Sequence, residues 1–234
     1  MVKTIVLRVD GTNCDEESCQ AFRLAGSEVD LVHINELKNK FLEDYQILMV
    51  PGGFSYGDDI SAGKIQANMM KHSIGDQLKK FVEDGKLVLG ICNGFQALVK
   101  AGLIPAIDGI MQRQEATLVM NDSGYFMDKW IRLRHVNKGK CIFTKGIKQE
   151  IFIPINHGEG KFMAPPEILR NLEENDQLVF KYADNPNGSV MDIAGICNPE
   201  GNVFGMMPHP EKYVHPYTHP FWTRMEKLPE EGDG

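Results

Sequence analysis

Short apolar runs alternate with longer mixed segments through the first hundred residues, and that rhythm sets the expected architecture. Lys3–Val9 (KTIVLRV), Glu28–Ile34 and Gln46–Val50 (QILMV) are runs of Val, Ile and Leu of strand length, as expected of strands buried on both faces. Between the first two lies a helical stretch that begins near Cys14, with Thr12 or Asn13 placed to cap it, and stops at Ala25-Gly26. Ser61 to about Asp84 is also helical in period, with Ile65, Met69, Leu78, Phe81 and Val82 as expected core positions and Gly75 as a candidate break. Leu87–Ile91 is a further strand, followed at once by a helical pattern through Phe95, Leu98 and Val99. Strands separated by helix-length segments imply parallel βαβ units. The expected fold is therefore α/β, a three-layer sandwich with a mostly parallel, flavodoxin-like central sheet.

After Leu103-Ile104-Pro105 the spacing shortens. Ala116–Met120, Trp130–Arg134 and Ile151–Ile155 are strand-like but joined by turns such as Asn121–Gly124 and Lys138–Lys140, which predicts antiparallel decorations on the sheet. A polar helical or loop segment (165–176) precedes three more strands at Gln177–Tyr182, Met191–Cys197 and Asn202–Met206. No repeat and no linker-like stretch interrupts this. A single domain is expected over 1–225, with 226–234 as a disordered tail.

Candidate chemistry sits where these strands end. Gly90-Ile91-Cys92-Asn93-Gly94 is a Gly-x-Cys-x-Gly turn between a strand and a helix, the geometry that presents a nucleophile at a strained apex. The following helix aims its N-terminal amides and positive dipole end at the sulfur, which favours a thiolate and offers donors to an oxyanion. A buried, inert cysteine is the plainer alternative. Pro51-Gly52-Gly53 bares backbone amides at another strand end, as a ligand-binding loop or a simple turn; the Lys-Ser/Thr ending of a phosphate loop is missing. A thiol nucleophile needs a base. His209, between Pro208 and Pro210 and two residues before Glu211, follows a strand and can be oriented by that carboxylate. His157, in a Gly-rich stretch, is the rival, and the residues alone leave the choice open.

Composition narrows the classes. The 234 residues carry 32 Asp and Glu against 25 Lys and Arg, a net charge of −7 with no basic run, which argues against nucleic-acid binding. No apolar stretch reaches the ~18 residues of a membrane span. Five cysteines (Cys14, Cys19, Cys92, Cys141, Cys197) show no paired metal-ligand spacing, so no metal site is expected and a reducing cytoplasm is the expected setting.

The motifs together resemble one family. Gly90–Gln96 with Pro208–Glu211 is similar to the Cys-His-Glu site of class I, triad-type glutamine amidotransferases. Asp10–Asp15 (DGTNCD), Pro51–Asp58 (PGGFSYGD), His157–Gly160 (HGEG), Asn185–Ser189 (NPNGS) and Gly205–Glu211 (GMMPHPE) resemble the branch formed by the glutaminase components of phosphoribosylformylglycinamidine synthases. The resemblance implies Cys92 as nucleophile, His209 and Glu211 as its partners, the Gly53 and Asn93 backbone amides as the oxyanion hole, and Gln96 as a substrate contact. It also implies that the chain binds no cofactor. Glutamine is the expected substrate. A large synthetase subunit, which uses ATP and Mg to convert formylglycinamide ribonucleotide, and a small bridging subunit are the expected partners. Phe54–Asp58 is an expected place for partner contact to gate activity. Two alternatives accompany this reading: another cysteine hydrolase of the same superfamily, and a catalytically silent interaction subunit.

Overall fold

The computed structural model describes residues 1–234, apart from the side chains of 38 and 39. Its main sheet has nine strands in the order β2-β1-β3-β4-β11-β10-β9-β6-β7. The parallel half contains β1 (Lys3–Arg8), β2 (Glu28–His33), β3 (Ile47–Val50), β4 (Leu87–Ile91) and β11 (Val203–Met206). Their apolar runs are buried on both sides: Ile5, Val6, Leu7, Leu48, Val50, Val88 and Val203 are all inaccessible. Helix α1 (Asp15–Leu24) joins β1 to β2, whereas α2 (Lys64–Glu83) joins β3 to β4 in the opposite direction along the sheet. Right-handed crossovers running in opposite directions place their helices on opposite faces, which yields the three layers. The direction reverses between β1 and β3, and such a switch point opens a crevice at the strands' carboxyl ends.

The antiparallel strands do more than decorate. β10 (Ile193–Cys197), β9 (Leu178–Tyr182), β6 (Met127–His135) and β7 (Glu150–His157) continue the same sheet outward from β11, every pair antiparallel. Short turns signal antiparallel pairing but not which strand meets which, so this continuity was beyond local patterning. Only β5 (Thr117–Val119) and β8 (Lys161–Met163) form a separate ribbon. The polar segment 165–176 folds as α4 (Pro166–Glu174), burying Ile168 and Leu172.

Three local expectations change. α2 runs unbroken through Gly75, because Ile74 and Leu78 on either side are buried and outweigh the ~1 kcal/mol cost of a helical glycine. Its core face is Ala67, Met70, Ile74, Leu78, Phe81 and Val82, leaving Ile65 and Met69 half-buried at its margin. Neither Thr12 nor Asn13 caps α1: the Thr12 hydroxyl accepts from Val9 N at 3.0 Å, and Asn13 Oδ1 accepts the Cys14 thiol at 3.3 Å. Asp15, Glu16 and Glu17 offset the helix dipole instead. Residues 226–234 form no helix or strand. Asp233 accepts from Phe152 N and pairs with Lys148, and Gly234 N donates to Tyr213 O.

Candidate active site

Cys92 is the hinge between β4 and α3 (Asn93–Ala101), with φ 51° and ψ −108°. A non-glycine residue held there costs ~1–3 kcal/mol, so the surroundings must enforce it. Two flanking features do so. Cys92 N donates to Met206 O on neighbouring β11, and Gln96 N closes the first helical turn onto Cys92 O. Gly94 lets that turn pass over the end of β3; a Cβ there would stand 1.8 Å from Val50 O. Gly52 makes the same allowance beside the catalytic candidates, since its absent Cβ would lie 2.8 Å from His209 Cε1 and 3.4 Å from Cys92 Cβ.

β11 leads directly into Met207-Pro208-His209. The His209 amide is pinned to Pro154 O of β7 at 2.9 Å, and its Nδ1 lies 2.6 Å from Glu211 Oε1. Both side chains are buried, at 2% and 4% exposure, and among the described residues Nε2 has no hydrogen-bond partner of good geometry, although the Cys92 and Cys14 thiols stand near the ring. Burial works to lower the His209 pKa. The Glu211 charge, aided by Cys92 and Cys14, overcomes that and holds the imidazole well above its ordinary value. His157 is the contrasting case. Equally buried but with no carboxylate, it is depressed to about 4, and its Nδ1 pairs with Asn121 Oδ1 at 3.1 Å. The structure therefore brings His209 and Glu211 to Cys92 and gives His157 to the neighbouring loop.

A cavity of about 190 Å³ opens on these residues, bordered by Cys92, His209, Gly53, Asn156, Phe126 and Lys212 among others. It lies at the carboxyl ends of β1, β3, β4 and β11, beside the switch point. Gly53 faces Thr12 in an isolated antiparallel bridge whose hydrogen bonds come from its neighbours, Phe54 N to Gly11 O and Asn13 N to Gly52 O. That leaves the Gly53 N–H directed away from the bridge. Asn93, first residue of α3, has an amide with no acceptor within its own helix. Its side chain accepts from Ser55 N at 3.0 Å and donates to Asp58 Oδ1 and Gln96 Oε1 at 3.0 and 2.9 Å, holding the 54–63 loop over the elbow.

Gln96 is buried and stands outside the cavity lining; its Nε2 donates to Glu159 O at 2.6 Å, so both amide atoms are engaged. Here the side chain ties the His157–Gly160 loop to α3. Sequence reasoning missed Asn13, Asn156, Phe126 and Lys212 as cavity residues. Lys212 had a signal, adjacent to Glu211, but Phe126 had none. Cys14 also borders the cavity, where its sulfur, a His209 ring nitrogen and a Glu211 oxygen lie within 4.8 Å of one another. All five cysteines are free thiols.

A thiol at a strained strand-to-helix apex, an imidazole locked by a buried carboxylate and a small, half-open crevice are the parts that a cysteine-dependent amide hydrolase would need. The chain belongs to the CobB/CobQ-like glutamine amidotransferase domain family, whose model matches residues 1–233. More particularly, it is 45% identical over 242 residues to phosphoribosylformylglycinamidine synthase subunit PurQ of Dehalococcoides mccartyi, covering 100% of this chain and 93% of that one. The subunit of the same name from Methanococcus maripaludis is 40% identical, with 97% and 88% covered. Among solved structures, PurLQS from Thermotoga maritima aligns with a TM-score of 0.78 and 34% identity over 93% of this chain and 91% of that chain. A second protein of that organism, a glutamine amidotransferase at 17% identity and a TM-score of 0.58, shares the fold.

Proposed function

We propose that this chain is the glutaminase subunit of phosphoribosylformylglycinamidine synthase, releasing ammonia from glutamine for a synthetase subunit. The observation that carries the reading is the convergence of Cys92, at a left-handed elbow, with the buried His209–Glu211 pair on one small cavity. At about 190 Å³ that cavity falls below the ~300 Å³ where drug-sized sites begin, a size that suits a single amino acid.

In this reading Cys92 attacks the side-chain amide carbon of glutamine, and His209 takes its proton. The tetrahedral oxyanion is met by the backbone N–H groups of Gly53 and Asn93, each typically worth ~3 kcal/mol. His209 then protonates the departing ammonia, leaving a γ-glutamyl thioester on Cys92. A water deprotonated by His209 hydrolyses the thioester, glutamate leaves, and the thiol is restored. Glu211 holds the ring in one tautomer and stabilises its cation. Gln96 acts from behind by fixing the 157–160 loop.

Ammonia that reached bulk water would be protonated, so it is passed to the large synthetase subunit, joined through a small third subunit. ATP and Mg serve that partner in converting formylglycinamide ribonucleotide to formylglycinamidine ribonucleotide; this chain holds no cofactor of its own. We place the complex in the cytoplasm, a setting supported by the five free thiols. Among the described residues no helix is long and apolar enough to cross a membrane.

The test is reconstitution with the two partner subunits. Glutamate release and glutamine-dependent synthesis should vanish in Cys92→Ala while ammonia-dependent synthesis persists. Glutamine-dependent synthesis that survives Cys92→Ala would sink the proposal.

A further inference from the structure

β7 is the last strand of the sheet, so one of its edges has no neighbouring strand. Residues 152, 154 and 156 direct their backbone groups out from that edge, because alternate residues of a strand bond to the same side. Each of the three holds a different part of the molecule. Asn156 O accepts the Cys92 thiol at 3.5 Å, Pro154 O accepts the His209 amide at 2.9 Å, and Phe152 N donates to Asp233 Oδ2 at 3.1 Å. Nucleophile, base and Asp233 are thus set in line along one strand edge.

The two glycines beside Asp233 seat on the segment that carries the base. Gly232 N donates to Val214 O at 3.2 Å and Gly234 N to Tyr213 O at 3.0 Å. A Cβ on Gly232 would stand 1.7 Å from Tyr213 O, and one on Gly234 would stand 1.7 Å from Pro210 O. So close an approach of two backbones admits no side chain. Tyr213 is itself buried and packs edge-on against Trp130 of β6, with ring centroids 5.0 Å apart. Segment 210–214 is therefore held on one side by β7, through His209, and on the other by 232–234. Glu211 lies within that span, where its Oε1 keeps 2.6 Å to His209 Nδ1. The Lys148 ammonium, 2.7 Å from Asp233 Oδ1, is 69% exposed and adds little. The charge-assisted bond from Phe152 N is what ties 232–234 to the sheet.

With the glutaminase reading of the Cys92 site as its basis, we propose that Asp233 is a positioning residue for that reaction: bonded to the edge of β7, it clamps segment 210–214 and so fixes Glu211 against His209. It acts only through that segment, and the chemistry stays on Cys92 and His209.

The experiment measures glutamate release by the complex with both partner subunits, with rates taken per folded chain from urea titrations. Asp233→Ala should lower kcat about 10- to 100-fold, the scale of a misplacement of about 1 Å in a catalytic group. KM for glutamine should hold, because the loss falls on the transition state. Asp233→Asn keeps an oxygen for Phe152 N and should restore most of the rate, whereas Lys148→Met should change it less than about threefold, the scale of an exposed ion pair. Gly234→Ala sets a Cβ against Pro210 O with Asp233 still in place. It should lower kcat in the same way, and it decides the matter where Asp233→Ala fails to fold. In proton NMR of the chain, the downfield His209 Nδ1–H signal, assigned by its loss in Glu211→Gln, should broaden in Asp233→Ala and persist in Asp233→Asn. Wild-type kcat with an unchanged signal in Asp233→Ala or Gly234→Ala would overturn the proposal, as would a loss that Asp233→Asn does not restore. Failure of the wild-type complex to release glutamate from glutamine would instead remove the glutaminase reading, and the proton signal would still report the clamp.

Discussion

Replacing Glu211 by Gln removes one charge from a site where that charge opposes a large burial penalty. His209 Nδ1 and Glu211 Oε1 lie 2.6 Å apart with both side chains almost fully buried. His157, buried nearby with no carboxylate beside it, is depressed to about 4 by burial and then by the charge of His209, and so marks a lower limit for an imidazole denied such a partner. A fall of His209 from its ordinary 6.5 to that limit spans 6.5 − 4 = 2.5 pH units, or ~3 kcal/mol against the imidazolium. That alone slows a step that needs His209 cationic by about a hundredfold. Tautomer loss adds to it; a comparable replacement in a serine triad costs about ten-thousandfold. Glutamate release by the reconstituted complex should therefore fall between a hundredfold and ten-thousandfold. Its pH–rate profile should also move, because His209 loses the charge that holds its imidazolium. Ammonia-dependent synthesis serves as the control. A fall of less than tenfold with an unmoved pH profile would show that the carboxylate merely fills space.

The surrounding loops yield further expected outcomes. Gly94→Ala sets a Cβ 1.8 Å from Val50 O, backbone against backbone, and should cost ~3 kcal/mol or more, seen as a lower urea midpoint; an unchanged midpoint contradicts it. The Asp58 carboxyl is pushed up to about 6 by burial and then by Glu159, so it binds its proton more tightly folded than unfolded. Its contribution to stability is complete below pH ~3.8 and is lost as the pH rises through 6. Asp58→Asn should therefore gain on wild type by ~1–2 kcal/mol at pH 8, a figure reduced for partial solvent screening, with the gap closing toward pH 4 in denaturant titrations. Tyr56 and Ile60, like Asp58, have left-handed backbones in a loop that exposes Ile60 at 87% and touches Asn93 through Ser55 and Asp58. If partner docking acts through this loop, Tyr56→Ala should uncouple glutamine hydrolysis from synthesis; tight coupling in that variant counts against it.

The parallel half of the fold and the ends of its strands were legible because local rules determine them. Continuous Val/Ile/Leu runs declare strands buried on both faces, and Gly-x-Cys-x-Gly declares a turn that only glycines of small footprint permit. What local rules do not carry is pairing between distant segments. Nothing in Met127–His135 states that it meets β9 on one side and β7 on the other, and nothing in Phe126 states that it borders Cys92. Gln96 shows the limit in a different way. One turn beyond Cys92 it could face a substrate or the scaffold, and its hydrogen bond to Glu159 O, 63 residues later, is a pairing that local rules do not carry. Glu211, two residues on, favours His209 over His157, and the structure pairs His209 with that carboxylate while His157 meets Asn121.

The place of β11 in the sheet has a consequence for biosynthesis. It is the last strand in the chain, yet it lies between β4 and β10, joining the parallel half to the antiparallel half. During synthesis β4 must wait with one backbone edge unpaired until more than a hundred further residues have emerged. An unpaired apolar edge is where chains aggregate, so this interval is the one in which chaperone protection matters most. The strand that closes the edge also delivers His209. A nascent or truncated chain therefore exposes its cysteine without a base, and glutamine is safe from it until the sheet is whole.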